Sequence, residues 1–300
     1  MTMFFLVELG FSSYKNANLK INKDNTMNNP KITIITVVYN GATTLEQTML
    51  SVLNQTYNNI EYIIVDGASS DGTLDIIANY ELRIKNGEFP NVFFRYISES
   101  DKGIYDAMNK GIDMSTGEWI NFMNAGDFFA KKDVLQKIFL QEKWIYADVI
   151  YGNAISYNKK GEKREQIARE NPVFLKNGPI YRHGASFVKT SVHKEVKFDL
   201  SKESKLGYAL DTNCIITLFN LKKTFQKVDI AVLYFDEEGI SNRPYKSLWY
   251  NYLICSYGKK NKIKDFSLLL KNILSISLRY FLSFWGYGKK DGCVQNLRKN

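Results

Sequence analysis

Between residues 31 and 123 the chain alternates between two kinds of apolar pattern. Residues 32–38 are apolar and largely β-branched, which predicts a buried strand, and Leu45, Met49, Val52 and Leu53 then recur at helical spacing. Residues 61–65 read as a second strand, 73–80 as a helix, 92–97 as a third strand, 105–114 as a helix and 119–123 as a fourth strand. Strand and helix in turn imply βαβ units, an α/β class and a mainly parallel sheet flanked by helices. After Asp127 the rhythm loosens: helices are expected over 134–140 and 210–219, and strands over 149–155, 186–188 and 224–235. No internal repeat or low-complexity tract interrupts the pattern.

Two of the predicted strands stop at a carboxylate beside glycine: Ile63-Ile64-Val65-Asp66-Gly67, and Trp119-Ile120-Asn121-Phe122-Met123-Asn124-Ala125-Gly126-Asp127. Open α/β sheets bind ligands in the crevice beyond the strand ends, so two such acids point to a ligand bearing hydroxyls, phosphates and a metal.

Composition adds three constraints. The three cysteines, Cys214, Cys255 and Cys293, have no metal-ligand spacing and their odd number argues against a disulfide framework. With residues 4–7 too short for a secretory signal, this reads as a cytoplasmic protein. Residues 1–30 form a polar, Asn-rich extension, and Met27 is expected to be the natural start. The net charge of +9 is uneven: residues 245–300 hold nine Lys and two Arg against Asp265 and Asp291, so the remainder is neutral. A basic tail with a neutral body gives no reason to expect a nucleic-acid partner.

The ordered runs Ile34-Ile35-Thr36-Val37-Val38-Tyr39-Asn40, Gln55-Thr56-Tyr57, and Asp66-Gly67-Ala68-Ser69-Ser70-Asp71-Gly72-Thr73 resemble the N-terminal half of family 2 glycosyltransferases, which have the GT-A fold. The stretches 98–111, 117–127 and His183-Gly184-Ala185-Ser186-Phe187 are similar to a bacterial capsule and exopolysaccharide (colanic-acid-like) subgroup. The resemblance spans residues 31–220, and a shift of composition near Asp236–Pro244 sets the boundary between a catalytic domain over 31–240 and a basic helical tail over 241–300. The resemblance further implies an inverting transferase that moves a sugar from a nucleotide donor, a UDP-sugar, to a saccharide acceptor in surface polysaccharide synthesis.

The residues fit that chemistry at particular points. Val37 and Tyr39 end the first strand, where a backbone group and an aromatic face suit a nucleobase. Asp66 is placed for base or ribose hydroxyls, with a turn residue leaving the strand as the alternative. Asp71 serves equally as a ligand contact or as a cap of the following helix, and Asp101 lies near the expected donor pocket. Asp127 suits a divalent cation, Mg²⁺ or Mn²⁺, on the diphosphate, because negative charge accumulates there as the sugar departs. The family's D-x-D-like motif is incomplete here, since in Asn124-Ala125-Gly126-Asp127 only the last acid is present and Asn124 is a weaker oxygen donor; the alternative for Asp127 is a cap of a helix starting near Phe128. The resemblance places the catalytic base at Asp211, which otherwise reads as a helix cap. His183, beside Gly184, is a candidate for the diphosphate or acceptor, or an ordinary satisfied histidine. His193, followed by Lys194 and Glu195, reads as surface, and the two histidines have no zinc-ligand spacing.

In the tail Ser267, Lys271, Ser275, Arg279 and Ser283 recur every four residues among apolar neighbours, which on a helix makes one narrow polar stripe. Lys271 and Arg279 oppose a membrane-spanning reading. A helix lying on an anionic membrane surface fits better, which would make the protein peripheral on the inner face of the cell membrane and suggest a lipid-linked acceptor; the alternative is a helix packed on the catalytic domain. Two rival functions have distinct signatures. A nucleotidyltransferase or dehydrogenase predicts a Gly-rich phosphate loop after the first strand, where Tyr39-Asn40-Gly41-Ala42 stands instead. A non-catalytic nucleic-acid-binding protein predicts cations spread over the body.

Overall fold

The computed structural model describes residues 29–140, 144, 146–237, 239, 244–256 and 262–284. The expected N-terminal extension and the Met27 start lie outside these, apart from Asn29 and Pro30. Strands β1 (Ile32–Val38), β2 (Ile60–Asp66), β3 (Val92–Ser98) and β4 (Trp119–Phe122) alternate with helices α1 (Leu45–Leu53), α2 (Thr73–Lys85) and α3 (Ile104–Met114). β1 pairs in parallel with β2 and β4, and β2 with β3, as the alternating pattern requires. Every residue of β1, β2 and β4 is buried, because helices cover both faces of a parallel sheet and leave no face for water.

The second half follows with β5 (Phe128–Phe129), α4 (Val134–Phe139), β6 (Val149–Tyr157), β7 (Lys163–Gln166), β8 (Ser186–Lys189), α5 (Thr190–Glu195), α6 (Glu203–Leu206), α7 (Leu210–Asn220) and β9 (Phe225–Asp236). The sheet runs β3-β2-β1-β4-β8-β6-β9-β5, with β7 beside β6. β8 is antiparallel to both β4 and β6, and β5 is antiparallel to β9. The result is an α/β fold with a mostly parallel curled sheet between helices. Two apolar clusters fill its faces, one around Ile34, Trp119 and Phe187, the other around Ile63, Met108 and Leu210.

Two expectations change. Phe128–Phe129 is a strand paired with Tyr234 and Leu233, so Asp127 caps no helix there. His193 is 1% exposed rather than on the surface: it lies on the same inward face of α5 as Val192, edge-on to Phe122 at 5.6 Å and beside Phe198 at 5.7 Å. Burial pushes its pKa down to about 3, so it is a neutral core side chain. The tail forms α8 (Pro244–Ser256) and α9 (Ile263–Phe284). α8 seats on the body, with Tyr250 edge-on to Tyr208 at 5.4 Å and Ile254 buried.

At the end of the sheet away from the site, fully buried Glu61 accepts from Thr33 Oγ1 at 2.6 Å, Thr116 N at 2.8 Å and Arg95 Nη2 at 2.6 Å. Burial alone would raise its pKa, but the hydrogen bonds from Thr116 and Thr33 and the Arg95 charge together hold it below the ordinary value. A depressed carboxylate pKa stabilises the fold above the unfolded value of about 4.3, and that stability is lost as pH falls through the folded value. Glu61→Ala takes the acceptor away from Arg95, Thr33 Oγ1, Thr116 N and Thr116 Oγ1, and is expected to cost about 3 kcal/mol in urea unfolding at neutral pH. Glu61→Gln should flatten the acid limb of the stability profile; an unchanged limb would show that Glu61 does not set it.

Candidate active site

The carboxyl ends of the first three strands are in register, with Val38 opposite Asp66 and Asp66 opposite Ser98. Asp66 is fully buried. Its carboxylate accepts from Ser69 N at 3.0 Å, Ser69 Oγ at 2.5 Å and Ser98 Oγ at 2.6 Å. Ser69 Oγ in turn receives Asn40 N at 2.7 Å, so Asp66 fixes the turn that positions the loop after β1. Asp71 works similarly: it accepts from Thr73 N at 3.1 Å and from Ala42 N at 3.0 Å, tying the start of α2 to the same loop. The Thr73 hydroxyl is the chief cause of its lowered pKa.

These tethers present Tyr39 to solvent at 68% exposure. Val37 is different: its side chain is in the core and its carbonyl receives Ala125 N at 3.4 Å, so it offers support rather than a side-chain contact. Gly67 lies between the Tyr39 ring and Asp101. A Cβ there would come within 3.3 Å of Tyr39 Cδ2 and 2.7 Å of Asp101 Oδ2. Tyr39, Gly67 and Asp101 therefore form one narrow rim, with Asp101 held by Gly103 N at 2.8 Å.

The start of α3 links this rim to the opposite wall. A Cβ on Gly103 would meet Glu203 Oε1 at 3.0 Å, and the Tyr105 hydroxyl donates to the Tyr208 carbonyl at 2.6 Å. Three residues beyond Tyr208, Asp211 lies in the first turn of α7, whose cap is Ala209, so Asp211 is not the helix cap. Burial raises the Asp211 pKa, while the Thr212 amide and the Arg182 charge oppose the shift.

Asp127 completes the set. Thr48, buried in α1, donates to the Asp127 carbonyl at 2.7 Å and accepts Gly126 N at 3.0 Å, which fixes the turn where Gly126 has φ +100. Burial pushes the Asp127 pKa up to about 7; Arg182 opposes this and Asp236 adds to it. Asp236 belongs here by register: it pairs with Tyr157, whose hydroxyl donates to the Gly126 carbonyl at 3.3 Å. The Arg182 guanidinium stacks 3.9 Å over the Phe235 ring and lies in the field of both Asp127 and Asp211. Burial lowers its pKa, and those two carboxylates raise it. One cation thus faces two acids that are 84 positions apart in sequence.

Two of the remaining candidates differ in kind. His183 stacks on Phe122 at 5.2 Å, and burial brings its pKa down to about 4, so it is a neutral ring at the base of the site. The Asn124 side-chain oxygen is buried with no hydrogen-bond partner. It lies on the turn that Asp127 N closes by donating to the Asn124 carbonyl at 2.9 Å, and an orphaned amide oxygen on the same turn as a carboxylate is a donor set suited to a hard divalent cation. Mg²⁺ in particular takes one or two protein oxygens and completes its shell with phosphates and water. Among the described residues no three His, Cys, Asp or Glu side chains cluster into a protein-only cage.

Arg182, Gly67, Tyr157 and Asp236 were not singled out from the sequence. The available signals were an arginine directly before His183-Gly184 and a glycine directly after Asp66. The partners of both become adjacent only through sheet pairing.

The profile of Glycosyl transferase family 2 matches residues 33–203, more than half of the chain, and the protein belongs to that family. Among curated relatives, a PGL/p-HBAD biosynthesis glycosyltransferase of Mycobacterium bovis is 35% identical over 130 residues, 42% of this chain and 47% of that one. This chain thus spans about half the length of that relative. The fold is similar to S. aureus TarS 1-349 in complex with UDP-GlcNAc, with TM-score 0.55 and 17% identity over 85% of this chain and 73% of that one. It is also similar to the mannosyltransferase PcManGT of Pyrobaculum calidifontis in complex with GDP-Man and Mn²⁺, with TM-score 0.57 and 14% identity over 86% and 79%. Both neighbours share the GT-A architecture.

Proposed function

We propose that this chain is an inverting, metal-dependent glycosyltransferase that takes a sugar from a UDP-sugar and passes it to a lipid-linked saccharide acceptor in surface polysaccharide synthesis. The observation that carries this reading is the placement of Arg182 against both Asp127 and Asp211, on a wall joined through Tyr105 to the Tyr39–Asp101 rim. The UDP-GlcNAc and GDP-Man complexes of the fold neighbours support the donor class, and the Mn²⁺ in one of them supports the metal.

In this reading Tyr39 stacks on the base while Asp101, held by Gly103, accepts from its edge. Asp66 and Asp71 keep that rim in place. Asn124 and Asp127 would hold the divalent ion, which when bound would supply positive charge to the departing diphosphate. Arg182 adds a guanidinium that pairs with phosphate or carboxylate oxygens in a forked geometry. Asp211 accepts the acceptor hydroxyl proton during in-line attack on the anomeric carbon, and its raised pKa makes it a better base than an exposed carboxylate. His183 forms the apolar floor that excludes water.

The test is UDP release from a panel of nucleotide sugars with Mn²⁺ or Mg²⁺ added to the purified chain. One UDP-sugar is expected to turn over only with metal; a panel that neither binds nor turns over would refute the reading. Gly67→Ala offers a local check. The added methyl displaces the flexible end of Asp101 at little cost to the fold, and UDP affinity by calorimetry should fall about tenfold, the worth of one charged hydrogen bond. Unchanged affinity would remove Asp101 from the base pocket.

A further inference from the structure

Helix α9 turns Leu269 inward against α8 and leaves a continuous apolar strip facing outward. At 100° per residue Ile263, Leu270, Leu274 and Phe281 fall within about 40° of one another. They are 75%, 45%, 69% and 58% exposed, and Leu278 beside them is 57% exposed. Exposed Lys264 and Lys271 run along one edge of the strip. The other edge is aromatic. Tyr245, Trp249 and Tyr252 share one face of α8; Tyr245 Oη reaches Ser277 Oγ at 3.3 Å and Tyr252 packs on Phe266 at 6.0 Å. Trp249 therefore borders the middle of α9, half exposed.

A leucine strip flanked by cations on one side and by Trp and Tyr on the other has the chemistry of a helix that lies in the interface of a bilayer. No described helix is long and apolar enough to cross a membrane, and Lys271 falls near the centre of α9. The segment 245–300 carries a net charge of +9, which matches a negatively charged lipid surface.

We propose that α9 docks flat on an anionic phospholipid surface, with Leu270, Leu274 and Leu278 sunk into it and Lys264 and Lys271 on its headgroups. Because α8 carries α9 and seats Tyr250 on Tyr208, docking holds the Asp211 wall beside the bilayer. That last step, delivery of a lipid-borne acceptor to Asp211, rests on the transferase reading; the docking does not.

Flotation of the full chain with phosphatidylcholine vesicles, with and without phosphatidylglycerol, tests the docking directly. The wild type is expected to float with the anionic vesicles only. Leu270→Asp/Leu274→Asp should stay at the bottom, with unchanged thermal midpoint and unchanged UDP release from the donor sugar, since both side chains face outward. Lys264→Gln/Lys271→Gln should bind about thirtyfold more weakly, two cations at about 1 kcal/mol each. Wild-type protein that ignores anionic vesicles, or a double leucine variant that floats as well as wild type, overturns the proposal. A dimer broken by the leucine changes without flotation would assign the strip to a second copy and also overturn it. Failure of the transferase reading is separate: flotation would persist while no variant released UDP.

Discussion

Asp127→Asn is expected to lower turnover by about 10²–10³-fold or more, while raising the thermal midpoint of the metal-free protein at neutral pH. The first effect follows from removing the carboxylate assigned to a divalent cation, whose positive charge would offset that of the leaving diphosphate. The second follows from burial. Burial pushes the Asp127 pKa up to about 7, well above the unfolded value of about 3.9. Between those values the folded protein binds the proton more tightly than the unfolded chain does. The stability contributed by the neutral carboxyl is thus complete below the unfolded value and is lost as pH rises towards 7. A neutral amide does not undergo that loss. Thermal melts in chelator from about pH 5 to about pH 8 should show wild type falling relative to the variant. Parallel curves would mean that Asp127 is not confined as described, and undiminished turnover would end its part in the reaction.

Arg182→Ala is expected to be the more damaging change. It removes the guanidinium whose charge acts on both Asp127 and Asp211 and which stacks on Phe235, so stability is expected to fall together with turnover. Turnover should fall by at least about 100-fold, the scale for loss of a group aimed at developing charge. Arg182→Lys separates structure from chemistry. Lysine retains the charge but neither the planar stack on Phe235 nor the forked donor pair, so stability should recover more fully than turnover. The pH profile supplies a readout that mere packing would not move. Without Arg182 the Asp211 pKa loses an opposing influence, so the acid limb of kcat/KM should move to higher pH. An acid limb that stays in place in Arg182→Ala would uncouple Arg182 from Asp211.

What the sequence displays depends on whether a residue's environment is local. β1, β2 and β4 are continuous buried runs, and such runs are visible without knowing their partners. β5 is two residues long and β7 is the exposed run Lys163-Arg164-Glu165-Gln166, so neither has an apolar pattern to find. His193 was misread because Lys194 and Glu195 mark a solvated face, yet one step back along a helix is a different face, where Val192 also points inward. Asp66 and Asp127 were visible because each follows an apolar run and stands beside glycine, Asp66 as the last residue of β2 and Asp127 on the loop between β4 and β5. Arg182 and Asp236 were not, since the antiparallel β5–β9 pairing and the β6–β9 register create their neighbours. Asp236 even fell where the composition shift suggested a domain edge. The tail shows the same division: its polar stripe was legible, but the seating of α8 on Tyr208 was not, because an aromatic pair across 42 positions leaves no periodic trace.

The central claim is that the Tyr39–Asp101 rim and the Asp127–Arg182–Asp211 wall form one donor site. A crystal structure of the full chain soaked with UDP and Mn²⁺ tests it most directly. The account predicts the uracil ring against Tyr39 with Asp101 at its edge, the diphosphate next to Asp127 and Arg182, and Mn²⁺ held by Asn124 and Asp127. Nucleotide bound elsewhere, or a diphosphate that leaves Asp127 and Arg182 untouched, would contradict it.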